Sequence, residues 1–441
     1  MSAIRASIQT SAIGGITLGI VVKQRTEFTP SIISATQRGS IKELRSFFVS
    51  ESLRIDHVDD INGRSALHYA MYSITIDIDR VRMLLQYGSD PDHEDDLGES
   101  VRHIVARKVL TNSDERPILQ DLELLLPISK AVSDFEFNFI HKVVVGLCPV
   151  NLGLILQASD KTVLDQMNGQ DNLGKTPLHW AVARADLSAI RALLAAGANV
   201  NIFTHKGHTS LMESLVWQKD PTCAFAVMDA GVDLERRDLD GFLPFHHAIG
   251  FNRLPVAARM IEMGVDVESR TTNAQETALA IAARRNLVGL VEYLCDQGAD
   301  LNALDRWGWT PLLRAIESKA HDTLKMLLDR GANHTRRTPT GATILHIAAI
   351  RGNVETFDIL ASGSLNGMDV EAKDQKDHPA TYYFEDENTN LDNPEAEPAF
   401  RRLLRAMEHT MAEAVPSAQD HVESDGEADC HFVDAQELLK I

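Results

Sequence analysis

Hydrophobic residues between Asp171 and Asn201 recur at intervals of three and four, the spacing of an amphipathic helix. Five apolar positions form this pattern in two stretches: Leu178, Ala181, Ile190, Leu193 and Leu194. Thr176 and Pro177 suit the cap and first position of one helix, and Gly197 suits the left-handed end of a second. The stretch therefore predicts a helix–turn–helix unit, which cannot bury its apolar face without neighbouring units.

The same unit recurs downstream with a nearly constant period. One position of the first helix marks it, with spacings of 33, 34, 34, 33 and 33 residues: His179, Met212, His246, Ala280, Leu313 and His346. Each following second helix carries an apolar pair and ends at a glycine: Gly231, Gly264, Gly298 and Gly331. Gln275 and Asp377 stand where other turns have glycine. The period predicts a regular array over residues 158–371.

The period and the run Thr176-Pro177-Leu178-His179, with Gly174, Gly197-Ala198 and Asn201, resemble the ankyrin repeat family. The pattern is similar to ankyrin proteins common in filamentous fungi. The resemblance implies an all-α solenoid of about ten helix–turn–helix units. It also implies a structural hydrogen-bonding role between repeats for five histidines: His68, His141, His179, His246 and His346.

The chain outside the regular array is less periodic, and five segments are expected. Residues 1–28 are an N-terminal strand or cap, with alternation at 16–22, and residues 29–157 are degenerate repeats. In the latter we predict second helices at 118–126 and 152–156 and loops at 110–117 and 127–135. Residues 158–371 are the regular repeats, 372–408 a capping repeat with an acidic insertion, and 409–441 a disordered acidic tail.

The net charge of −20 disfavours nucleic acid and anionic membranes as partners. Residues 385–441 hold 15 acidic and 4 basic side chains, so the charge is concentrated in the tail. The apolar stretch at 12–22 is too short to span a bilayer and lacks a signal-peptide cleavage pattern. Four widely separated cysteines favour a reducing compartment, and a cytoplasmic or nuclear monomer is expected.

Candidate chemistry is sparse in the sequence. No phosphate-binding loop, nucleophile elbow, kinase signature or zinc-protease motif is present, and repeats account for nearly all of residues 29–407. The doublet His246-His247 has no carboxylate or cysteine at zinc spacing, and 429–431 is a lone Asp-Cys-His triplet. No enzyme activity, cofactor or metal is therefore expected. Ser424 lies in an acidic context typical of kinase substrates.

Binding is expected on the face that the resemblance assigns to partners, the concave face of turn tips and first helices. The predicted binding residues are Arg184, Lys206, Trp217, Phe242, Phe251, Arg284, Arg285, Arg306, Trp307, Trp309 and Arg351. Trp and Arg dominate binding hot spots, and this set suits an acidic or extended peptide of a protein partner. Two alternatives stay open: a regulatory ankyrin region of a larger signalling or enzyme chain, and a small-molecule enzyme, for which the sequence offers no ionisable pocket.

Overall fold

A computed structural model describes residues 4–8, 20–26, 36, 41–42, 45, 58–59, 62–72, 76–96, 98–111, 116–158, 161–217, 220–363, 365, 368–385 and 395–413. The chain forms two compact units. Unit 1 comprises residues up to Ile281 together with Asp296–Ala299, and unit 2 comprises Ala282–Cys295 and residues from Asp300 onward. The tail from 414 and Ser424 lie outside the described residues.

The described residues confirm the predicted array of helix–turn–helix units, with ten helix pairs in chain order and two further short helices, Ser129–Asp134 and Lys161–Leu164. The degenerate part contains α1 Ala66–Met71, α2 Ile78–Gln86, α3 Val101–Thr111, α4 Arg116–Leu125, α5 Ser129–Asp134, α6 Phe139–Val144, α7 Leu152–Gln157 and α8 Lys161–Leu164. The regular part contains α9 Pro177–Ala183, α10 Leu187–Ala195, α11 Ser210–Trp217, α12 Thr222–Asp229, α13 Pro244–Gly250, α14 Leu254–Glu262, α15 Ala278–Arg284, α16 Val288–Asp296, α17 Pro311–Glu317, α18 His321–Asp329, α19 Ile344–Arg351 and α20 Val354–Ser362. The last pair is α21 Tyr382–Glu385 and α22 Ala396–Glu413.

Three short strands lie before α1 in the chain. The strand β1 (Ile4–Ile8) pairs antiparallel with β2 (Ile20–Thr26), and β2 pairs in parallel with β3 (Val58–Asp59). The predicted alternation at 16–22 overlaps β2 only in its last residues, because 9–19 lie outside the described residues. The strand extends to Thr26, past the apolar run, since its pairing is set by backbone hydrogen bonds.

The degenerate repeats correct one predicted loop. Residues 127–135 contain the helix α5, whose only buried residue is Ala131. The sequence therefore shows no hydrophobic periodicity that would predict this helix. The predicted second helices at 118–126 and 152–156 correspond to α4 and α7. The short helix α8 has no buried residue and was not predicted.

The structural role predicted for the motif histidines is confirmed. His179 Nδ1 accepts from the Thr176 backbone N–H at 3.2 Å, and its Nε2 donates to the His208 carbonyl of the next repeat at 3.3 Å. The imidazole thus caps its own helix and links two repeats. The same pair of contacts is made by His68 with Ser65 and Glu99, His246 with Leu243 and Ser269, and His346 with Thr343 and His378. His141 makes only the contact between repeats, from Nε2 to the Lys175 carbonyl at 3.0 Å, and the Asn138 side chain caps its helix instead.

The C-terminal helix closes unit 2. Its apolar stripe packs against α20, where the rings of Phe400 and Phe357 lie 5.2 Å apart in an edge-to-face arrangement. Four apolar residues of this stripe are buried: Phe400, Leu403, Leu404 and Met407. The helix ends at Glu413, beyond the predicted boundary at 408. Within the described part of the chain, no helix has the length and apolar character needed to cross a membrane.

Candidate functional site

The turn that opens a repeat is held by one carboxylate in several repeats. Asp171 Oδ1 accepts from the backbone N–H groups of Leu173 at 2.9 Å and Lys175 at 2.8 Å. Gly174 lies in this turn with φ of +73°, and a Cβ there would come within 2.6 Å of the His205 nitrogen in the next turn. The turn tips therefore stack closely, which fixes the backbone that carries the predicted binding residues.

The second oxygen of the same carboxylate accepts from a side chain nine residues later, on the first helix. Four repeats share this contact with four different donors: Trp180 to Asp171, His247 to Asp238, Arg314 to Asp305 and Tyr383 to Asp374. We call the surface formed by the turn tips and first helices the tip face and describe it for each unit separately. The contact ties each tip to the helix behind it.

In unit 2, the predicted Trp307 and Trp309 flank a buried arginine. The Arg314 guanidinium lies 5.0 Å from the centre of each indole ring, and it donates to Asp305 at 2.8 Å and to Glu317 at 2.7 Å. Trp307 nevertheless keeps 51% of its surface exposed, whereas Trp309 is half-buried. The pair therefore has an internal cation–π role and also presents a positioned indole to solvent.

The other predicted residues of unit 2 supply positive charge on the same face. Arg306 is exposed at the tip beside Trp307, and Arg351 is exposed at the last residue of α19. Arg285 is exposed just after α15, and Arg284, the last residue of that helix, is half-buried.

In unit 1, two predicted aromatic residues meet on one histidine. The Phe251 ring stacks on His247 with 6.1 Å between centres, and the Phe242 ring lies 5.8 Å away. Phe251 is 37% exposed and Phe242 is half-buried. Lys206 is exposed at the preceding tip. Sequence reasoning did not identify His247 as the residue that brings these two rings together.

Two predicted residues of unit 1 have a different position from the rest. The Arg184 guanidinium donates to the carbonyl oxygens of Leu110 at 2.5 Å and Val145 at 3.3 Å. This half-buried side chain therefore provides hydrogen bonds to carbonyl groups at the C-terminal ends of α3 and α6. Arg184 therefore has a packing role that the sequence prediction missed. Trp217 ends α11, and its side chain lies outside the described part.

A buried ion pair in unit 1 was also missed. Lys175 Nζ donates to Glu213 Oε2 at 3.0 Å, and each side chain is 8% exposed. Burial raises the pKa of the Glu213 carboxyl, but Lys175 and His208 outweigh that effect and hold the pKa well below its usual value. The two residues are 38 positions apart, so only the stacking of successive repeats reveals the pair.

Replacing Lys175 with methionine should lower the free energy of unfolding by about 3 kcal/mol, because it removes the largest counter-charge of the buried Glu213 carboxylate. The double variant Lys175→Met/Glu213→Leu should recover most of that loss, since neither charge then remains. Urea unfolding at pH 7 measures all three proteins, and the double-mutant cycle isolates the coupling.

The matched control is the exposed ion pair Lys373–Asp377, whose side chains are 54% and 82% exposed. Lys373→Met should cost less than about 1 kcal/mol, because solvent screens that pair. A Lys175→Met loss as small as that of Lys373→Met would show that the buried pair is not held as described.

Comparisons with known proteins agree with this architecture. The family model described as ankyrin repeats in three copies matches residues 151–238, 215–305, 245–338 and 289–374, and the single ankyrin repeat model matches residues 62–96. The B-cell lymphoma 3 protein homolog of Mus musculus is 28% identical over 209 residues, which are 46% of this chain and 39% of that protein. The B-cell lymphoma 3 protein of Homo sapiens is 30% identical over 187 residues, 41% of this chain and 34% of that protein.

Among solved structures, the chain is similar to the ankyrin repeat domain of Bcl-3, described as a unique member of the IkappaB protein family. The sequence identity is 26% and the TM-score is 0.44, with 51% of this chain and 98% of that domain covered. The matched part of this chain covers less than half the length of the two B-cell lymphoma 3 proteins.

Proposed function

Since this chain belongs to the ankyrin repeat family, we propose that it is a non-catalytic interaction module that binds a protein partner on the tip face. Ankyrin repeats generally mediate protein–protein interaction, and the fold itself does not specify which partner is bound. The proposal depends on the side chains that this chain places on its tips and first helices.

The exposed indole of Trp307 carries the proposal. The backbone N–H of Trp307 donates to Asp305 Oδ1 at 2.9 Å. The guanidinium of Arg314 lies 5.0 Å from the centre of the indole ring and is itself held by the Asp305 and Glu317 carboxylates. The neighbouring Gly308 has φ of +74°, and a Cβ there would come within 2.5 Å of the Pro339 ring. An aromatic side chain held in this way loses little conformational entropy on binding.

The chemistry of the neighbouring side chains supports an acidic, extended segment as the ligand. Arg306 and Arg351 are both exposed on the tip face of unit 2. Exposed guanidinium groups favour carboxylate-bearing ligands because they donate two parallel hydrogen bonds. A flat indole beside them accepts an apolar side chain or the main chain of the same segment.

Replacing Trp307 with alanine should weaken partner binding by about 2 kcal/mol, or roughly thirtyfold, because a central tryptophan is a typical hot spot. The measurement is a quantitative affinity purification from the native cell with wild-type and variant protein, followed by titration of the recovered partner. A second variant, Trp307→Ala/Trp309→Ala/Arg285→Ala, should lose that partner completely.

The control is Met263→Ala, which removes a side chain that is 47% exposed at the end of the second helix α14. It should retain every partner, since it changes exposed apolar area away from the tip face. If the triple variant stays folded and recovers the same partners as wild type, the tip-face proposal is wrong.

A further inference from the structure

Three side chains from two successive repeats of unit 1 converge on the tip face. His208 lies in one tip, Asp238 opens the next tip, and His247 lies on the helix behind it. Asp238 Oδ2 is 2.7 Å from His247 Nε2 and 3.7 Å from His208 Nε2. The donor atoms of all three residues lie within 4.8 Å of one another, and it is the only such group of histidine, cysteine and acidic residues found in the described part of the chain.

The surroundings hold these three groups in place. Asp238 Oδ1 accepts from the backbone N–H of Phe242 at 2.8 Å, which leaves Oδ2 facing both imidazoles. The His247 ring stacks on Phe251, and the His208 ring meets His247 edge to face with 5.4 Å between centres. The side chains of His208 and His247 are 18% and 14% exposed, so solvent reaches both rings, while the carboxylate is buried.

In two other repeats, the aspartate equivalent to Asp238 accepts a hydrogen bond from a different type of side chain. Trp180 and Arg314 occupy the place of His247, and neither an indole nor a guanidinium offers a free lone pair to a metal. The residue equivalent to His208 also varies: it is lysine at 175, phenylalanine at 242 and alanine at 342. Two imidazoles and a carboxylate therefore meet here through choices specific to these two repeats.

We propose that His208, Asp238 and His247 bind a zinc ion through Nε2, a carboxylate oxygen and Nε2, respectively. Two imidazoles and one carboxylate form a ligand set that zinc accepts, with a fourth tetrahedral position open to water. Zinc–ligand bonds of about 2.0–2.2 Å separate tetrahedral ligand atoms by about 3.3 Å. To reach this spacing, His247 Nε2 must move slightly away from Asp238 Oδ2, now 2.7 Å distant, and His208 Nε2 slightly toward it from 3.7 Å. The hydrogen bond between Asp238 and His247 is then replaced by one bond from each residue to the metal.

Glu213 supplies the outer contact that such a site needs. Its Oε1 lies 3.5 Å from His208 Nδ1, while its Oε2 is bonded to Lys175. When His208 binds through Nε2, the proton of the neutral ring is on Nδ1 and faces this carboxylate. A carboxylate behind a ligating histidine fixes the tautomer and raises the basicity of the ring. Glu213 is therefore a positioning residue for the ion.

The experiment is isothermal titration of the full-length chain with zinc chloride at pH 7.5, after removal of metal by a chelator. Wild type should bind one zinc ion that His208→Ala and His247→Ile no longer bind at this site. Both variants introduce residues found at equivalent positions, Ala342 and Ile347, so the repeats should stay folded. Glu213→Gln should weaken the same binding by about 10–100-fold, the cost of a lost outer contact.

The matched control is His205→Ala, which removes an exposed histidine from the same tip. It should bind zinc as wild type does. Thermal unfolding gives a second reading: one bound ion should raise the melting temperature of wild type and His205→Ala, because it binds the folded chain. The proposal is overturned if wild type binds no zinc in this titration, or if His208→Ala and His247→Ile bind it with unchanged affinity.

Discussion

Replacing Trp180 with alanine should lower the free energy of unfolding by about 3–5 kcal/mol, the cost typical of truncating a large buried aromatic. The side chain is fully buried in unit 1, where its ring packs 5.7 Å from Phe135 and 5.2 Å from Phe137. Its Nε1–H donates to Asp171 Oδ2 at 2.8 Å. The substitution removes the ring packing, leaves a cavity and removes the indole N–H that donates to the Asp171 carboxylate.

Urea unfolding followed by circular dichroism measures this loss, and Trp180→Phe separates its parts. Phenylalanine keeps most of the ring packing but leaves Asp171 without the indole donor, which should cost about 1–3 kcal/mol. Burial raises the pKa of the Asp171 carboxyl and the Trp180 bond lowers it, so Trp180→Phe, which removes the bond but keeps the burial, should raise that pKa further.

Trp307→Ala is the matched control, since that indole is 51% exposed. Its loss should cost less than about 1 kcal/mol of stability, as is typical of surface substitutions. Together the two tryptophans distinguish a stabilising role from a binding role. A Trp180→Ala loss no larger than that of Trp307→Ala would contradict the packing described for unit 1.

The repeat period explains why most of the fold could be predicted from the sequence. Each helix pair makes the same local choices, so Thr176, Pro177 and Gly197 locate one unit and the 33–34-residue period locates the next. The glycine replacements were also predicted, and Gln275 and Asp377 adopt φ of +53° and +65° where a glycine is usual. The helix α5 was missed because a single buried alanine gives no periodic signal.

The tip face was only partly predictable, for a physical reason. The residue types and the face followed from the repeat position, and Trp307 is indeed exposed on the tip. The side-chain partners did not follow, because Lys175 with Glu213 and His208 with Asp238 join different repeats. One local signal was available and was not used: an aspartate nine residues before a donor, as in Asp305 and Arg314.

Acid should destabilise the chain between about pH 6.5 and pH 4 through its buried motif histidines. Burial lowers the pKa of both His179 and His246 to about 4. The unfolded chain titrates these groups near 6.5, so below that pH it binds protons that the folded chain does not. Stability is therefore fully present above pH 6.5 and falls by about 1.4 kcal/mol per pH unit for each histidine. The fall ends near pH 4, where the folded chain is protonated too, after about 3 kcal/mol for each ring.

The test compares the pH dependence of urea unfolding in wild type with that in His179→Met, since methionine occupies the equivalent position 212. At pH 7 the variant should be less stable, because the Thr176 backbone N–H loses its acceptor. Its stability should nevertheless fall less steeply from pH 6.5 to 4, and the two curves should converge as the pH falls. Leu313→Met is the control, because it changes the same position of another repeat without removing an imidazole, and its slope should equal that of wild type. If His179→Met has the same slope as wild type, the His179 ring is not held in its neutral form in the folded chain.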